Sequence, residues 1–204
     1  MPGGGAEIFA DRFRKKICRD KVDADGYLEV HRVAHQMGLK TNCTMLYGSI
    51  ERDYEIIDHL DRLRTLQAES GGFQTFIPLA YHSEGNRMSQ LGSPTGVEDL
   101  KIMAVSRLML HNIPHIKAYW VMLGIKTAQT CLRFGANDLD GTVTEEKIYH
   151  MAGSQSPNAL TLSDIRKLIE RAGGTPTERT TTYEIIDRTI SDSKLATSEG
   201  SMVA

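Results

Sequence analysis

Short apolar runs recur along this chain, and an amphipathic helical pattern follows each; nothing else narrows its possible folds so far. The runs lie at 41–46, 73–79, 116–123 and 136–139. Helical patterns fall at 6–17, 27–37, 52–69, 95–111, 124–134, 145–151 and 162–172. Strands separated by helices pair in parallel, because a parallel partner is reached only through a long crossover. The 116–123 run is apolar almost throughout, as expected of a strand covered on both faces. The spacing of the runs is too irregular for a solenoid. A doubly wound sheet or part of a (β/α) barrel remains. The first calls for a Gly-x-Gly-x-x-Gly turn between strand and helix, and Pro2-Gly3-Gly4-Gly5 is not one. A whole barrel takes about 250 residues, so four strands amount to half of one.

Local signals place the elements. Ile8, Phe9, Phe13 and Ile17 make the apolar positions of the first helix, and Leu28, Val33, Ala34 and Met37 those of the second, which Gly38 ends. Ile56, Ile57, Leu60, Leu63 and Leu66 stripe the third before Gly71-Gly72. Thr95 with Glu98 reads as a capping box for a helix that faces in through Val97, Leu100, Ala104, Leu108 and Leu110 or Met109. Thr161 and Asp164 repeat that pattern later. Residues 81–96, rich in Ser, Gly, Asn and Pro, form a long loop. A half barrel is expected to leave two strand edges open.

Composition excludes several functions. Net charge is −2 and the pI about 6.4, which disfavours a general nucleic-acid binder. No apolar run approaches the roughly 20 residues needed to span a bilayer. The first residues carry neither a basic region nor an apolar core, so no secretory signal is read and a cytoplasmic location is expected. Cys18, Cys43 and Cys131 are odd in number and far apart, which argues for free thiols and against a metal loop.

Polar residues gather just after the strands: Thr44, Tyr47, Gly48 and Glu51; Tyr81, His82 and Glu84; Asp138, Asp140, Gly141 and Thr142. Tyr119 lies within the third run. In parallel barrels the C-terminal strand ends build the active site, although the same residues also cap helices and close turns. Asp138 and Asp140 share one side of an extended segment. They could bind hydroxyls or a metal, share a proton, or simply form an Asp140-Gly141 turn. His31 and His35, four apart on a helix, lack the remaining ligands of a metal site and read as solvated. His111 and His115 are expected at a helix C-terminus, where imidazolium is favoured. His82 opens the long loop and could meet an anionic substrate or act as an acid. Cys43 reads as a structural buried thiol.

Several segments together carry a resemblance. Pro2-Gly3-Gly4-Gly5-Ala6-Glu7-Ile8 and Thr44-Met45-Leu46-Tyr47-Gly48 resemble the radical S-adenosylmethionine enzymes of the futalosine and deazaflavin pathways. Phe76-Ile77-Pro78-Leu79-Ala80, His115 to Gly124, Asn137 to Thr142 and Glu145 to Gly153 narrow this to the aminofutalosine synthase family of menaquinone biosynthesis. The likeness runs from about Pro2 to Tyr183. It implies an α/β fold: the C-terminal half of a (β/α) radical S-adenosylmethionine barrel, four parallel strands with flanking helices. That half would occupy 1–190 with a helical extension, and 191–204 would be a disordered tail.

The resemblance implies chemistry as well. A [4Fe-4S] cluster cleaves S-adenosylmethionine, and the 5′-deoxyadenosyl radical adds to 3-[(1-carboxyvinyl)oxy]benzoate to give 6-amino-6-deoxyfutalosine. It implies cofactor contacts from Glu7, Thr44, Leu46, Glu51, Ile77 and Pro78, and substrate contacts from Tyr47, His82, Tyr119, Asp138, Asp140 and Thr142. No residue is assigned as catalytic and none as a metal ligand. Ser49 stands where relatives usually carry His. The Cys-x-x-x-Cys-x-x-Cys loop that holds the cluster is not in this sequence, so the expected partners are a small-molecule substrate and an N-terminal half of the same enzyme. Alternatives are a cyclic dehypoxanthine futalosine synthase-like enzyme and a non-catalytic half-barrel remnant.

Overall fold

The computed structural model describes residues 1–85, 88–141 and 160–186. The chain divides into two compact units, Met1–Gly174 and Thr175–Ala204. The first holds one four-stranded parallel sheet in the order β1-β2-β3-β4. Its strands are β1 (Thr41–Tyr47), β2 (Phe73–Ala80), β3 (His115–Ala118) and β4 (Asp138–Leu139). Its helices are α1 (Asp11–Ile17), α2 (Ala24–Gln36), α3 (Asp53–Ser70), α4 (Gly96–Met109), α5 (Trp120–Leu123), α6 (Ile125–Cys131) and α7 (Leu162–Arg171). In the second unit, Arg179 and Ile185 pair antiparallel around a turn, and the Arg179 guanidinium lies 3.9 Å from the centre of the Tyr183 ring.

Strand and helix patterns locate most elements, and several expectations change. The helix expected over 6–17 begins only at Asp11. Residues 1–9 instead run extended beside β1. The Asn42 N–H donates to the Met1 carbonyl and the Leu46 N–H to the Glu7 carbonyl, each at 3.0 Å. Between them, Gly3 presses against the strand so closely that a β-carbon there would sit 2.0 Å from the Asn42 carbonyl oxygen. Its own carbonyl accepts from the Tyr27 hydroxyl at 2.8 Å and the Thr44 hydroxyl at 2.7 Å. A Arg14 guanidinium, itself buried, holds the Ala6 carbonyl at 2.6 Å. The β1 edge is therefore covered, contrary to the expectation of two open edges.

The second change concerns the 116–123 run, which is a strand only through Ala118. It then turns into the short helix α5, where the Tyr119 carbonyl accepts the N–H groups of Met122 and Leu123. A continuous apolar run carries no period, so strand and buried helix look alike in sequence.

The third is the inward face of α4. Asp99, Met103 and Ser106 are buried, while Val97 and Leu108 are 76% and 79% exposed. The polar Asp99 occupies the core side because it has a partner there, described below. In α2 and α3, Val33, Met37 and Ile57 are likewise exposed, whereas Leu28, Ala34, Ile56, Leu60, Leu63 and Leu66 are buried as expected. The capping boxes at Thr95–Glu98 and Thr161–Asp164 are both formed. The helix expected at 145–151 and the tail from 191 lie outside the described residues.

His31 and His35 are not solvated. His31 is 2% exposed and stands 2.8 Å from the Thr41 hydroxyl, which also lies 2.8 Å from the other histidine's Nε2. His35 Nδ1 lies 2.6 Å from the Ser70 hydroxyl, which donates to the Leu66 carbonyl. Since Ser70 spends its proton on that carbonyl, it accepts from His35 Nδ1. His35 Nε2 then accepts from Thr41, and Thr41 accepts from His31 Nδ1. One directed chain of neutral groups thus joins α2, β1 and α3 at the N-terminal end of the sheet. A third ring, His59, is fully buried, stacks on Phe9 at 3.9 Å between centroids, and donates from Nε2 to the Thr44 carbonyl at 3.0 Å.

Burial lowers the His31 pKa to about 4 and that of His59 to about 3. Each folded-state pKa lies below the unfolded value near 6.5, so the unfolded chain binds more protons between them and stability falls as pH drops through that window. Going from pH 7 to pH 5 should cost about 2 kcal/mol per ring, at roughly 1.4 kcal/mol per unit. Urea unfolding at both pH values measures the loss, and His31→Asn should remove about half of it.

Candidate functional site

Helices pack on one face of the sheet, so strand alternation assigns each residue a side. Thr41, Cys43, Met45 and Tyr47 of β1 point to the helices. Asn42, Thr44 and Leu46 point to the opposite, inner face. The register carries this across the sheet: Thr44 pairs with Ile77, Leu46 with Leu79, Phe76 with Ile116, and Lys117 with Asp138. One inner layer is thus Thr44, Ile77, Lys117 and Asp138. Nearer the C-terminal strand ends lie Leu46 and Leu79, and the Lys117 ion pair draws Asp140 to the same face.

The two layers are apolar over β1 and β2 and charged over β3 and β4. The Lys117 ammonium donates to Asp140 Oδ1 at 2.7 Å and stands 3.8 Å from Asp138 Oδ2. All three side chains are largely withdrawn from solvent, at 13%, 17% and 7% exposed respectively for Lys117, Asp140 and Asp138. Sequence reasoning passed over Lys117. A lysine inside an otherwise apolar strand run, one strand before a pair of aspartates, is the signal that could have found it.

Of the residues expected in the site, Thr44, Leu46, Ile77, Asp138 and Asp140 come together on this inner face, and Tyr119 lies just past β3 as the N-cap of α5. Pro78 alternates to the helix side with Met45. Tyr47 also points there, and its hydroxyl donates to the buried Asp99 carboxylate at 2.7 Å. Burial, reinforced by that carboxylate, raises the Tyr47 pKa; burial also raises that of Asp99, opposed by the tyrosine's hydrogen bond. Glu51 folds back on its own loop, where it accepts from the N–H groups of Gly48 and Ser49 and from the Ser49 hydroxyl. Glu7, at φ 48°, ion-pairs with Lys21 and offers its carbonyl to β1. His82 lies 4.0 Å from Glu84 at the start of the long loop. Thr142 lies outside the described residues.

The three thiols do not suit an iron–sulfur cluster. Cys18 ends α1, Cys43 faces the helices from β1, and Cys131 lies in α6; all are buried. Burial pushes Cys18 up, Cys43 well above the ordinary thiol range, and Cys131 up to about 12, whereas a cluster ligand is a thiolate. Among the described residues, no group of three or more His, Cys, Asp and Glu could hold a metal ion. No described helix is long and apolar enough to cross a membrane.

Four parallel strands in sequential order, with helices on one face and charged groups converging on the other, make half of a parallel (β/α) barrel. The chain belongs to the CofH/MqnC C-terminal region family, which its residues 70–192 match. It is 54% identical over 187 residues to the aminodeoxyfutalosine synthase of Thermus thermophilus, covering 90% of this chain and 50% of that protein. It is 47% identical to the aminodeoxyfutalosine synthase of Streptomyces coelicolor, covering 91% of this chain and 51% of that one. A 5-amino-6-(D-ribitylamino)uracil–L-tyrosine 4-hydroxyphenyl transferase from Methanopyrus kandleri is 44% identical, at 90% and 51% coverage. The crystal structure of methylornithine synthase shares the fold, with a TM-score of 0.57 at 20% identity over 84% of this chain and 50% of that one. The chain spans about half the length of the curated relatives it matches. Its fold class is half of a parallel (β/α) barrel, and the family match places it in the C-terminal region of that family.

Two outcomes follow from this geometry. Tyr47→Phe strands the buried Asp99 carboxylate and should cost about 1–3 kcal/mol in urea unfolding. Anaerobic reconstitution of the chain with iron and sulfide should leave less than one [4Fe-4S] cluster per chain by iron analysis and EPR; a stoichiometric cluster lost on mutating Cys18, Cys43 and Cys131 would contradict the thiol assignment.

Proposed function

We propose that this chain forms the substrate-side wall of an aminofutalosine synthase of menaquinone biosynthesis, working with an N-terminal half that carries the [4Fe-4S] cluster. The complete enzyme would convert 3-[(1-carboxyvinyl)oxy]benzoate and S-adenosylmethionine to 6-amino-6-deoxyfutalosine. The observation that carries this reading is the 54% identity to the Thermus thermophilus aminodeoxyfutalosine synthase along 90% of this chain. The Methanopyrus kandleri relative, at lower identity, makes transfer of a 4-hydroxyphenyl group the second reading.

The inner face suits this role. Leu46, Ile77 and Leu79 offer an apolar flank on which planar rings can lie. Asp138 and Asp140, acceptors by chemistry, can take hydrogen bonds from ligand hydroxyls. Binding and orientation are what such a wall contributes, since the cofactors of the complete enzyme carry the hard chemistry.

The test combines this chain with a cluster-bearing N-terminal half and follows 6-amino-6-deoxyfutalosine by mass spectrometry. Product should require both halves. Asp140→Ala should lower turnover about ten- to a hundredfold, the worth of a charged hydrogen bond acting at the transition state, while Lys101→Ala on an exposed face of α4 should leave it unchanged. Full turnover by Asp140→Ala would remove that residue from the site, and no product from any reconstituted pair would favour a non-catalytic half barrel.

A further inference from the structure

Helix α2 carries apolar residues on two of its faces. Ala24, Tyr27, Leu28, His31 and Ala34 are buried and turn to the core. Val30, Val33 and Met37 fall at helical spacing on another face, with Val22 just before the helix, and these four are 44% to 73% exposed. Val22 joins the row because its side chain covers Gly26, where a β-carbon would sit 2.5 Å from the Val22 Cγ2. From Val22 to Met37 the row is about 22 Å long at 1.5 Å per residue, and no other described helix exposes an apolar row of that length.

The partners of α2 show which way the row faces. Asp25 pairs with Arg62 and Arg32 with Glu69, so α3 lies along the Asp25–Arg32 flank. With about 100° between successive residues, the row falls roughly a third of a turn farther round, away from α3. Residues 1–9 lie on that same side. They run beside the β1 edge opposite β2, and the Gly3 carbonyl takes the Tyr27 hydroxyl of α2.

We infer that this flank of α2 is a docking surface for an amphipathic helix of the N-terminal half, which lies alongside α2 and packs its own apolar row against Val22, Val30, Val33 and Met37. The inference rests on the reading of the chain as one half of a barrel enzyme. In a closed (β/α) barrel the helices form a ring, so each has a neighbour on both sides. For α2, α3 is one neighbour, and the apolar flank is where the ring continues. The chain spans about half the length of the curated relatives it matches, and the half it does not cover supplies the second neighbour.

The test co-expresses the chain with the part of the Thermus thermophilus aminodeoxyfutalosine synthase that it does not cover, and follows the purified complex by sedimentation velocity. Wild type should form a one-to-one complex. Val30→Asp and Met37→Asp should each weaken it about ten- to a hundredfold, the worth of one buried apolar side chain, and Met37→Leu should keep it. Val97→Asp, on an exposed face of α4, should leave it unchanged. These side chains are exposed in the chain alone, so the variants should melt with wild type; Met37→Lys takes the place of an aspartate variant that does not fold. A complex that the aspartate variants leave at full strength overturns the docking surface and leaves the enzyme reading standing. A chain that dimerises alone and turns monomeric with Met37→Asp gives the row to a second copy and overturns the inference. A wild-type chain that forms no complex overturns the inference too, and the enzyme reading falls with it only if no product forms either.

Discussion

The structure depends on β1 having a hydrogen-bonding neighbour along each edge. A buried strand cannot leave its amides and carbonyls unpaired, since each orphan costs about 1–3 kcal/mol. On one side β2 pairs with it from Thr41 to Tyr47. On the other, residues 1–9 supply carbonyls to Asn42 and Leu46, and the His59 ring supplies a donor to the Thr44 carbonyl. This close approach explains Gly3. Gly3 lies where no side chain fits, and its carbonyl gathers the hydroxyls of Tyr27 and Thr44. Phe9, which stacks on His59, and the fully buried Ile8 and Phe13 then extend the core beneath the segment.

The sheet divides labour between its faces. Toward the helices, the polar groups are matched to internal partners: Thr41 to two histidines, and Tyr47 to Asp99. These contacts lock α2, α3 and α4 onto the strands and are spent on stability. Toward the inner face, the polar groups collect at one side as a lysine and two aspartates, next to an apolar strip. A charged trio withdrawn from solvent is a poor stabiliser, because desolvation offsets most of its attraction.

The thiols follow the same division. Each is buried in the helix-facing core or at a helix end, where low polarity disfavours the thiolate. Among the described residues, no group of three or more His, Cys, Asp and Glu could hold a metal ion. This fits a chain that covers about half of each curated relative it matches.

Sequence alone determined the elements whose signals are local. The apolar runs at β1 and β2, the stripe along α3, the capping boxes at Thr95 and Thr161 and the parallel order of strands all follow from periodicity and from the few ways a short chain can connect. The pairing of Asp138 with Asp140 on one side of a strand was also legible, because alternation needs no partner. Tertiary structure alone decided which way each polar side chain faces and what it meets. Tyr47 and Glu51 carry site-like chemistry in a site-like segment, yet one is taken by Asp99 and the other by its own loop. His31 and His35 read as a solvated pair until Thr41, Ser70 and Phe73 close around them. Lys117 looked like one lysine among many until the register set it across from Asp138. The reason is the same in each case: a strand or helix period says which residues share a face, but only the packing of distant segments says whether that face meets core, partner or ligand.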